Sequence, residues 1–178
     1  MGAIGARVAM KGKLAFNMRV LAFDPYITRE RAQMFGAELV DLEYLLKESD
    51  VVSINCPLTK QTYHMIGERE LSMMKKTAIL INTARGAIID ERALTKCLRN
   101  RGIRGAGLDV YEMEPLASDS PLRKLDNVVL TPHLASVTDV VERIVEEGVQ
   151  NIIAFLKGNM PKRIVNPEVL KHARANRT

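Results

Sequence analysis

The sequence has few cysteines and no long apolar run, and both absences narrow the classes of protein to which it can belong. Cys56 and Cys97 are the only cysteines among 178 residues, which leaves no disulfide framework and no metal-ligand spacing. No apolar stretch approaches the roughly 20 residues that a membrane-spanning helix needs. The N-terminus also lacks the apolar core and cleavage site of a secretory signal. We therefore expect a soluble, cytoplasmic protein that holds no metal.

Internal repeats and low-complexity tracts are absent too, which argues against solenoid and disordered classes. The net charge is +5, but the basic residues are spread along the chain apart from Lys171, Arg174 and Arg177 in the tail. A solvated basic surface, or a nucleotide phosphate as ligand, explains this charge as well as DNA would. We expect neither a nucleic-acid nor a membrane partner.

What the sequence does contain is an alternation of short β-branched runs with longer amphipathic runs. This alternation is typical of a parallel sheet covered by helices. The predicted strands are residues 19–24, 37–40, 51–55, 78–83, 105–110 and 128–131. The predicted helices are residues 28–35, 42–48, 68–74, 91–100 and 137–156. Right-handed crossovers would place these helices on both faces of the sheet, so we predict a Rossmann-type, doubly wound α/β fold.

Several predicted helices have suitable residues at their ends. Asp41 and Asp90 lie where the first N–H groups of a helix need an acceptor. Gly36 and Gly102 lie where a helix ends in a left-handed residue. The helix predicted at 137–156 is too long for a simple crossover, and we interpret it as an arm that leaves the domain.

The chain opens on half of a dinucleotide-binding motif. Gly2 and Gly5 match the last two glycines of G-x-G-x-x-G, in which a tight turn brings the N-terminus of a helix to a pyrophosphate. Asp24 follows 19 residues after Gly5, at the end of a predicted strand, where an acidic residue bonds a ribose hydroxyl. The alternative for Asp24 is a turn aspartate before a proline. No arginine follows to receive a 2′-phosphate, so the pattern favours NAD over NADP.

Three further motifs each follow the carboxyl end of a predicted strand, where ligands bind in an open α/β sheet. They are residues 82–86, 107–115 and 130–133. Their shared placement predicts that Arg85, Glu114 and His133 converge on one crevice. Taken singly, Arg85 and Glu114 have the alternative of turn residues, and His133 that of a structural histidine.

In this order and spacing the motifs resemble the D-isomer-specific 2-hydroxyacid dehydrogenases, from Gly2 to about Pro167. Pro57 and Thr62 after the strand at 51–55 belong to the same resemblance. It implies hydride transfer between NAD and a D-2-hydroxy acid or 2-keto acid. It also implies an NAD-binding domain at residues 1–157, followed by a C-terminal return segment and basic tail at 158–178.

The resemblance assigns roles to individual residues. His133 would be the acid/base, a task that suits an imidazole with an unperturbed pKa of about 6.5, and Glu114 would be its partner. Arg85 would hold the substrate carboxylate with its planar guanidinium. The implied cofactor-binding residues are Gly2, Ala3, Ile4, Gly5, Asp24, Cys56, Pro57, Thr62, Thr83, Ala84, Arg85, Asp109 and His133. For Cys56 and Pro57, simple packing is an equally good explanation, and His64 and His172 receive no role.

The sequence departs from the family at its N-terminal side. The first strand of the nucleotide fold has no counterpart, nor does the N-terminal part of the substrate domain. Loss of that central strand would leave two unpaired edges about 9–10 Å apart, whereas paired strands lie about 4.8 Å apart. Three alternatives would account for the missing strand: the sheet closes up, a second chain donates a strand, or the sequence is a fragment of a longer protein. We favour the third alternative.

Two other functional classes stay open at this point. One is an NAD-sensing, corepressor-like scaffold, and the other is a remnant that serves only in dimerisation. We expect a homodimer, because the resemblance places the dimer contacts at the first helix and at residues 117–125, both at least partly present. The residues that select the substrate side chain cannot be read from this sequence.

Overall fold

A computed structural model of the protein describes residues 1–134, 140–161 and 164–172. Strands and helices alternate along most of its length. The elements are α1 (Ala3–Phe16), β1 (Val20–Ala22), α2 (Arg29–Gln33), β2 (Ala37–Leu39), α3 (Leu42–Glu48), β3 (Val51–Ile54), α4 (Glu68–Met73), β4 (Ile79–Asn82), α5 (Glu91–Arg99), β5 (Gly105–Leu108), β6 (Val128–Leu130) and α6 (Val140–Leu156). Short 3₁₀ helices lie at Gly86–Ile88, Pro121–Lys124 and Pro167–His172. Each predicted strand is present, and its ends lie within two residues of the prediction.

The strands form two parallel sheets instead of one. β1 pairs with β2, with Val20 opposite Ala37. The second sheet has the order β3-β4-β5-β6, with Val51 opposite Ile79 where β3 meets β4. The predicted α/β fold without its first strand is confirmed. In the part of the chain that the structure describes, β1 and β3 do not pair, so the alternative in which the sheet closes up is wrong for this structure.

Each sheet has a hydrophobic core of its own. The larger core packs α3, α4 and α5 against β3 to β6, and its fully buried side chains include Leu46, Leu80, Leu94, Leu98 and Ile103. The smaller core lies among α1, β1, α2 and β2 and consists of Ala9, Ala22, Ala32 and Ala37. Alanines bury little apolar area, so this core contributes less free energy than the leucine-rich one.

Two helix starts agree with the predicted caps. The Asp41 carboxylate accepts a hydrogen bond from Tyr44 N–H at 2.8 Å, at the start of α3. The Asp90 carboxylate accepts one from Ala93 N–H at 2.9 Å, at the start of α5. Both bonds satisfy first-turn donors that have no partner inside the helix.

One predicted helix end is correct and one is wrong. Gly36 has a φ of +72° after α2, as predicted. After α5 the left-handed residue is Arg101, with a φ of 54°, and not Gly102. Gly102 is needed for a different reason, because a Cβ at this position would lie 2.7 Å from the Sγ atom of Cys97.

The chain divides into two compact units, Met1–Leu134 and Ala135–Thr178. The second unit contains α6 and the turn at Pro167–His172. The predicted helix start at 137 and the tail residues Arg174 and Arg177 lie outside the described residues. The predicted division at residue 157 stays a prediction. None of the described helices combines the length and the apolar composition needed to cross a membrane.

Candidate functional site

Apart from residues 2–5 at the start of α1, the predicted site residues follow the carboxyl ends of five strands. Asp24 follows β1, Cys56 follows β3, Asp109 follows β5 and His133 follows β6. Residues 83–85 follow β4 in the same way. Because β3 to β6 are parallel neighbours, the carboxyl ends of these strands lie along one edge of the larger sheet.

Glu114 and His133 form a direct pair at this edge. Glu114 Oε2 lies 2.7 Å from His133 Nδ1, and Glu114 Oε1 accepts the Tyr111 N–H at 3.1 Å. The hydrogen bond with His133, followed by the bond from Tyr111 and the positive charge of Arg85, lowers the pKa of Glu114. Since Nδ1 is bonded to Glu114, proton exchange with a substrate would use Nε2 of His133. The two side chains are 42% and 38% exposed, so the pair is open to solvent.

Asp109 holds the loop that carries His133. Its carboxylate accepts hydrogen bonds from the Thr131 hydroxyl and, at 2.9 Å, from Leu134 N–H. His133 lies between these two donors with a φ of 55°, a left-handed conformation that costs about 1–3 kcal/mol outside glycine. The buried Asp109 carboxylate therefore helps to offset backbone strain at His133. The predicted cofactor contact of Asp109 stays a prediction.

Asn82 shapes the turn that presents Arg85, and the sequence interpretation gave it no role. It is 1% exposed at the end of β4, where its amide donates to the Arg85 carbonyl and accepts from Ala84 N–H, both at 3.0 Å. The Arg85 side chain is exposed, and its guanidinium donates to the Ala84 carbonyl at 2.6 Å. The only signal in the sequence is a polar residue that ends an otherwise apolar strand.

Tyr111 is a second residue whose part in the site was not predicted. Its hydroxyl donates to the Thr131 carbonyl at 2.8 Å and lies 3.2 Å from the Leu108 carbonyl. These bonds tie the Glu114 loop to the ends of β5 and β6. Nothing in the sequence distinguishes Tyr111 from an ordinary core aromatic, because its partners are backbone atoms.

The start of α1 has no side-chain cap and no acidic residue in its first turn. Gly2 is the N-cap, makes no side-chain cap, and has no atom within 4 Å of the position a Cβ would take. The N–H groups of Ala3 and Ile4 therefore lie at the positive end of a helix that nothing else caps. Gly5 packs closely on Asn55 after β3, since a Cβ here would lie 3.4 Å from the Asn55 Cβ. This arrangement fits a pyrophosphate.

Asp24 lies two residues beyond β1. Its carboxylate bonds the N-terminal ammonium of Met1 and accepts the Tyr26 N–H at 2.9 Å. Burial alone would raise the pKa of Asp24, but these two bonds outweigh burial and the pKa is lowered. Asp24 is thus held as a carboxylate, the form that accepts hydrogen bonds from a sugar hydroxyl.

The loop after β3 is held by its own hydrogen bonds. The Thr62 hydroxyl donates to the Pro57 carbonyl at 2.7 Å and accepts the Thr59 N–H at 2.8 Å. Cys56 is half-buried against the larger core, and burial raises the pKa of its thiol. These contacts support packing as the explanation for Cys56. The cofactor roles of Cys56, Pro57 and Thr62, and that of the exposed Thr83, stay predictions.

Parallel strands, an uncapped helix start and an acidic residue after the following strand define a dinucleotide-binding domain of the dehydrogenase class. The family model described as "D-isomer specific 2-hydroxyacid dehydrogenase, NAD binding domain" matches residues 1–135. The chain belongs to this family, and its cofactor is NAD.

Known relatives agree with this assignment. The chain is 51% identical to the glyoxylate reductase of Korarchaeum cryptofilum over 96% of its own length and 52% of that protein. It is 43% identical to a Thermus thermophilus protein of known crystal structure, with a TM-score of 0.83, over 93% of this chain and 51% of that one. The NAD⁺-bound D-lactate dehydrogenase of Lactobacillus jensenii matches with a TM-score of 0.82 and 32% identity, over 93% of this chain and 53% of the other. The chain thus spans about half the length of these relatives.

Proposed function

We propose that this chain carries the coenzyme-binding and proton-transfer parts of an NAD-dependent dehydrogenase that interconverts a D-2-hydroxy acid and a small 2-keto acid. The observation that carries the proposal is the Glu114–His133 pair, 2.7 Å apart at the strand ends of an NAD-binding domain. The glyoxylate reductase relatives support a small 2-keto acid such as glyoxylate as the substrate.

The side chains of the site divide the chemistry among them. Bound NADH supplies the hydride for the reduction. His133 delivers a proton from Nε2 to the carbonyl oxygen, and Glu114 stabilises the imidazolium from the Nδ1 side. Arg85 binds the substrate carboxylate, because a guanidinium pairs with both carboxylate oxygens. Asn82 holds the turn from which Arg85 extends.

The proposed cofactor contacts lie at the start of α1 and after the strand ends. The backbone of Gly2, Ala3, Ile4 and Gly5 receives the pyrophosphate, and Asp24 receives the ribose. The remaining proposed contacts are Cys56, Pro57, Thr62, Thr83, Ala84, Arg85, Asp109 and His133. In this division residues 1–157 form the NAD-binding domain and residues 158–178 form a C-terminal return segment.

We expect the 178-residue chain to bind NADH at least ~10-fold more tightly than NADPH. A hydrogen bond to a charged group contributes about 1.5–3 kcal/mol, and the Asp24 carboxylate would repel a 2′-phosphate. Asp24→Ala should weaken NADH binding by ~10-fold, whereas NADPH binding should stay the same or become tighter, because the repulsion of the 2′-phosphate is removed. Fluorescence or calorimetric titration measures both affinities.

Asp50→Ala is the matched control, because Asp50 lies 3.0 Å from Lys75 at an exposed position before β3 and should leave both affinities unchanged. Equal affinity of the wild-type chain for NADH and NADPH would contradict the role of Asp24. Absence of binding to either nucleotide would contradict the proposed function.

We expect little turnover from this chain by itself. The Glu114 and His133 side chains are each more than one-third exposed in the described structure, whereas hydride transfer benefits from a site that excludes water. Incubation with NADH and glyoxylate or hydroxypyruvate should give no steady loss of absorbance at the NADH band. Steady oxidation would show that the chain closes its own site.

We also propose a cytoplasmic homodimer that has no nucleic-acid or membrane partner. The dimer is supported by α1, whose apolar side chains Ile4, Val8, Leu14 and Phe16 are exposed to solvent. Exposed apolar side chains on one helix are typical of a protein interface. Light scattering should give twice the 19.9 kDa mass of the chain, and Leu14→Lys together with Phe16→Lys should return it to the monomer mass.

A further inference from the structure

His64 connects two segments of the site, although it touches none of the residues assigned to the chemistry. Its Nε2 lies 2.9 Å from Glu112 Oε1 and is buried, but the contact lacks the geometry of a hydrogen bond. The ring stacks on Tyr63, with ring centroids 4.0 Å apart. The His64 N–H donates to the Ala87 carbonyl at 2.9 Å, in the turn that follows Arg85. His64 also has a φ of 50°, a conformation that is strained outside glycine.

Glu112 is held on its other side by the start of α5. Its carboxylate accepts the Glu91 N–H at 2.8 Å, and the Glu91 carboxylate accepts the Glu112 N–H at 3.2 Å. Burial, together with the negative charge of Glu112, raises the pKa of Glu91. Two carboxylates therefore lie close together, and the imidazole of His64 lies against the one that belongs to Glu112.

The peptide between Tyr111 and Glu112 lies flat against Gly86. A Cβ at position 86 would lie 1.9 Å from the Tyr111 carbonyl carbon and 2.5 Å from the Glu112 nitrogen. The N–H of Tyr111 donates to the Glu114 carboxylate. This N–H belongs to the preceding peptide group, between Val110 and Tyr111, so a contact that holds Glu112 acts on the donor through Tyr111, the residue that links the two peptides.

We propose that His64 is a positioning residue of the site. Its contact with Glu112 holds the Tyr111–Glu112 peptide against Gly86, and Tyr111, fixed in this way, presents the N–H that orients Glu114 toward His133. His64 thereby acts on His133 through Glu112, Tyr111 and Glu114, and it does not contact the substrate. This inference rests on the proposed function, because positioning Glu114 matters only if the Glu114–His133 pair transfers protons. The positioning itself can be tested without any coenzyme.

The test uses the 178-residue chain and the variants His64→Gln and Glu112→Gln. The second variant keeps an oxygen for the Glu91 N–H and removes only the charge that faces His64. Amide hydrogen exchange measured by NMR should accelerate at least ~10-fold at Tyr111 and Glu112 in both variants, while Leu80 in β4 keeps its wild-type rate. The double variant should be no faster than either single variant.

A spectroscopic readout separates positioning from general stability. Nitrogen-15 spectra of His133 report which ring nitrogen carries the proton, and this depends on the bond from Nδ1 to Glu114. In both variants the nitrogen-15 signals of His133 should move away from those of a ring whose Nδ1 is hydrogen-bonded to Glu114. Lys96→Gln on α5, which removes an exposed ion pair with Glu68 of α4, should leave the spectrum unchanged.

Unchanged exchange at Tyr111 and Glu112 together with an unchanged His133 spectrum would overturn the proposal. Equal acceleration at Leu80 would overturn it too, since His64 would then stabilise the whole unit. Failure of the wild-type chain to bind NADH contradicts the proposed function and leaves this result unaffected, because the measurements are made without nucleotide.

Discussion

Replacing Gly86 with alanine should cost the 1–134 unit about 3 kcal/mol or more of folding free energy, at or beyond the upper end of the usual range for overpacked positions. The new Cβ would lie 1.9 Å from the carbonyl carbon of Tyr111, 2.0 Å from its oxygen and 2.5 Å from the nitrogen of Glu112. These are backbone atoms, which cannot rotate away as the end of a side chain can. The Arg85 turn and the Glu114 loop must therefore separate.

Urea denaturation of the wild-type and variant chains measures this loss. Gly12→Ala is the matched control in the same unit, because a Cβ there would meet only Val20 at 3.6 Å and Met18 at 3.7 Å. Gly12 lies inside α1, where alanine is favoured over glycine by about 0.8–1.0 kcal/mol. A Gly86→Ala chain as stable as wild type would show that the loops are not packed as described.

A short apolar strand attached before Met1 should join the two sheets and stabilise the 1–134 unit. In the described residues β1 pairs only with β2, and β3 pairs only with β4, so each presents an unpaired edge. The Met1 ammonium bonds Asp24 after β1, while Gly5 packs on Asn55 after β3. A segment that runs into Met1 would thus pass between β1 and β3, parallel to both.

The expected gain in the free energy of unfolding is large, because such a strand would form hydrogen bonds with β1 on one side and β3 on the other. Each valine or isoleucine contributes about 1.5–3 kcal/mol through burial, against about 1–2 kcal/mol for ordering its backbone. Each new backbone hydrogen bond adds about 0.5–1.5 kcal/mol. Ordering each side chain costs a further amount of about 0.5–1 kcal/mol, and four such residues should therefore raise the free energy of unfolding by about 4 kcal/mol.

The measurement combines denaturation with amide exchange at β1 and β3, which should slow when the new strand pairs with them. An extension of equal length with lysine at alternate positions is the control, because a strand buried on both faces does not accept charged side chains. If the two extended chains are equally stable, the gap between the two sheets does not accept an added strand, and the prediction is wrong.

The sequence by itself determined the local features of this protein. The strand positions follow from runs of β-branched residues, and Asp41 and Asp90 cap their helices because the donors lie only three residues away. The motifs around Arg85, Glu114 and His133 were sufficient to identify the family, since their order along the chain reflects the order of the strands. Interactions of this kind depend on near neighbours in the sequence, which pattern alone can describe.

The tertiary structure decided what depends on distant partners. The conformation of His133 is supported by Asp109, which bonds Leu134 across 25 positions of the chain. The part played by His64 follows from its contact with Glu112, and no local pattern distinguishes it from an ordinary histidine. Arg101, and not Gly102, turns the chain after α5, and close packing against Cys97 is the separate reason why position 102 is glycine. The separation into two sheets is also a tertiary result, since strands pair only when their edges meet in space.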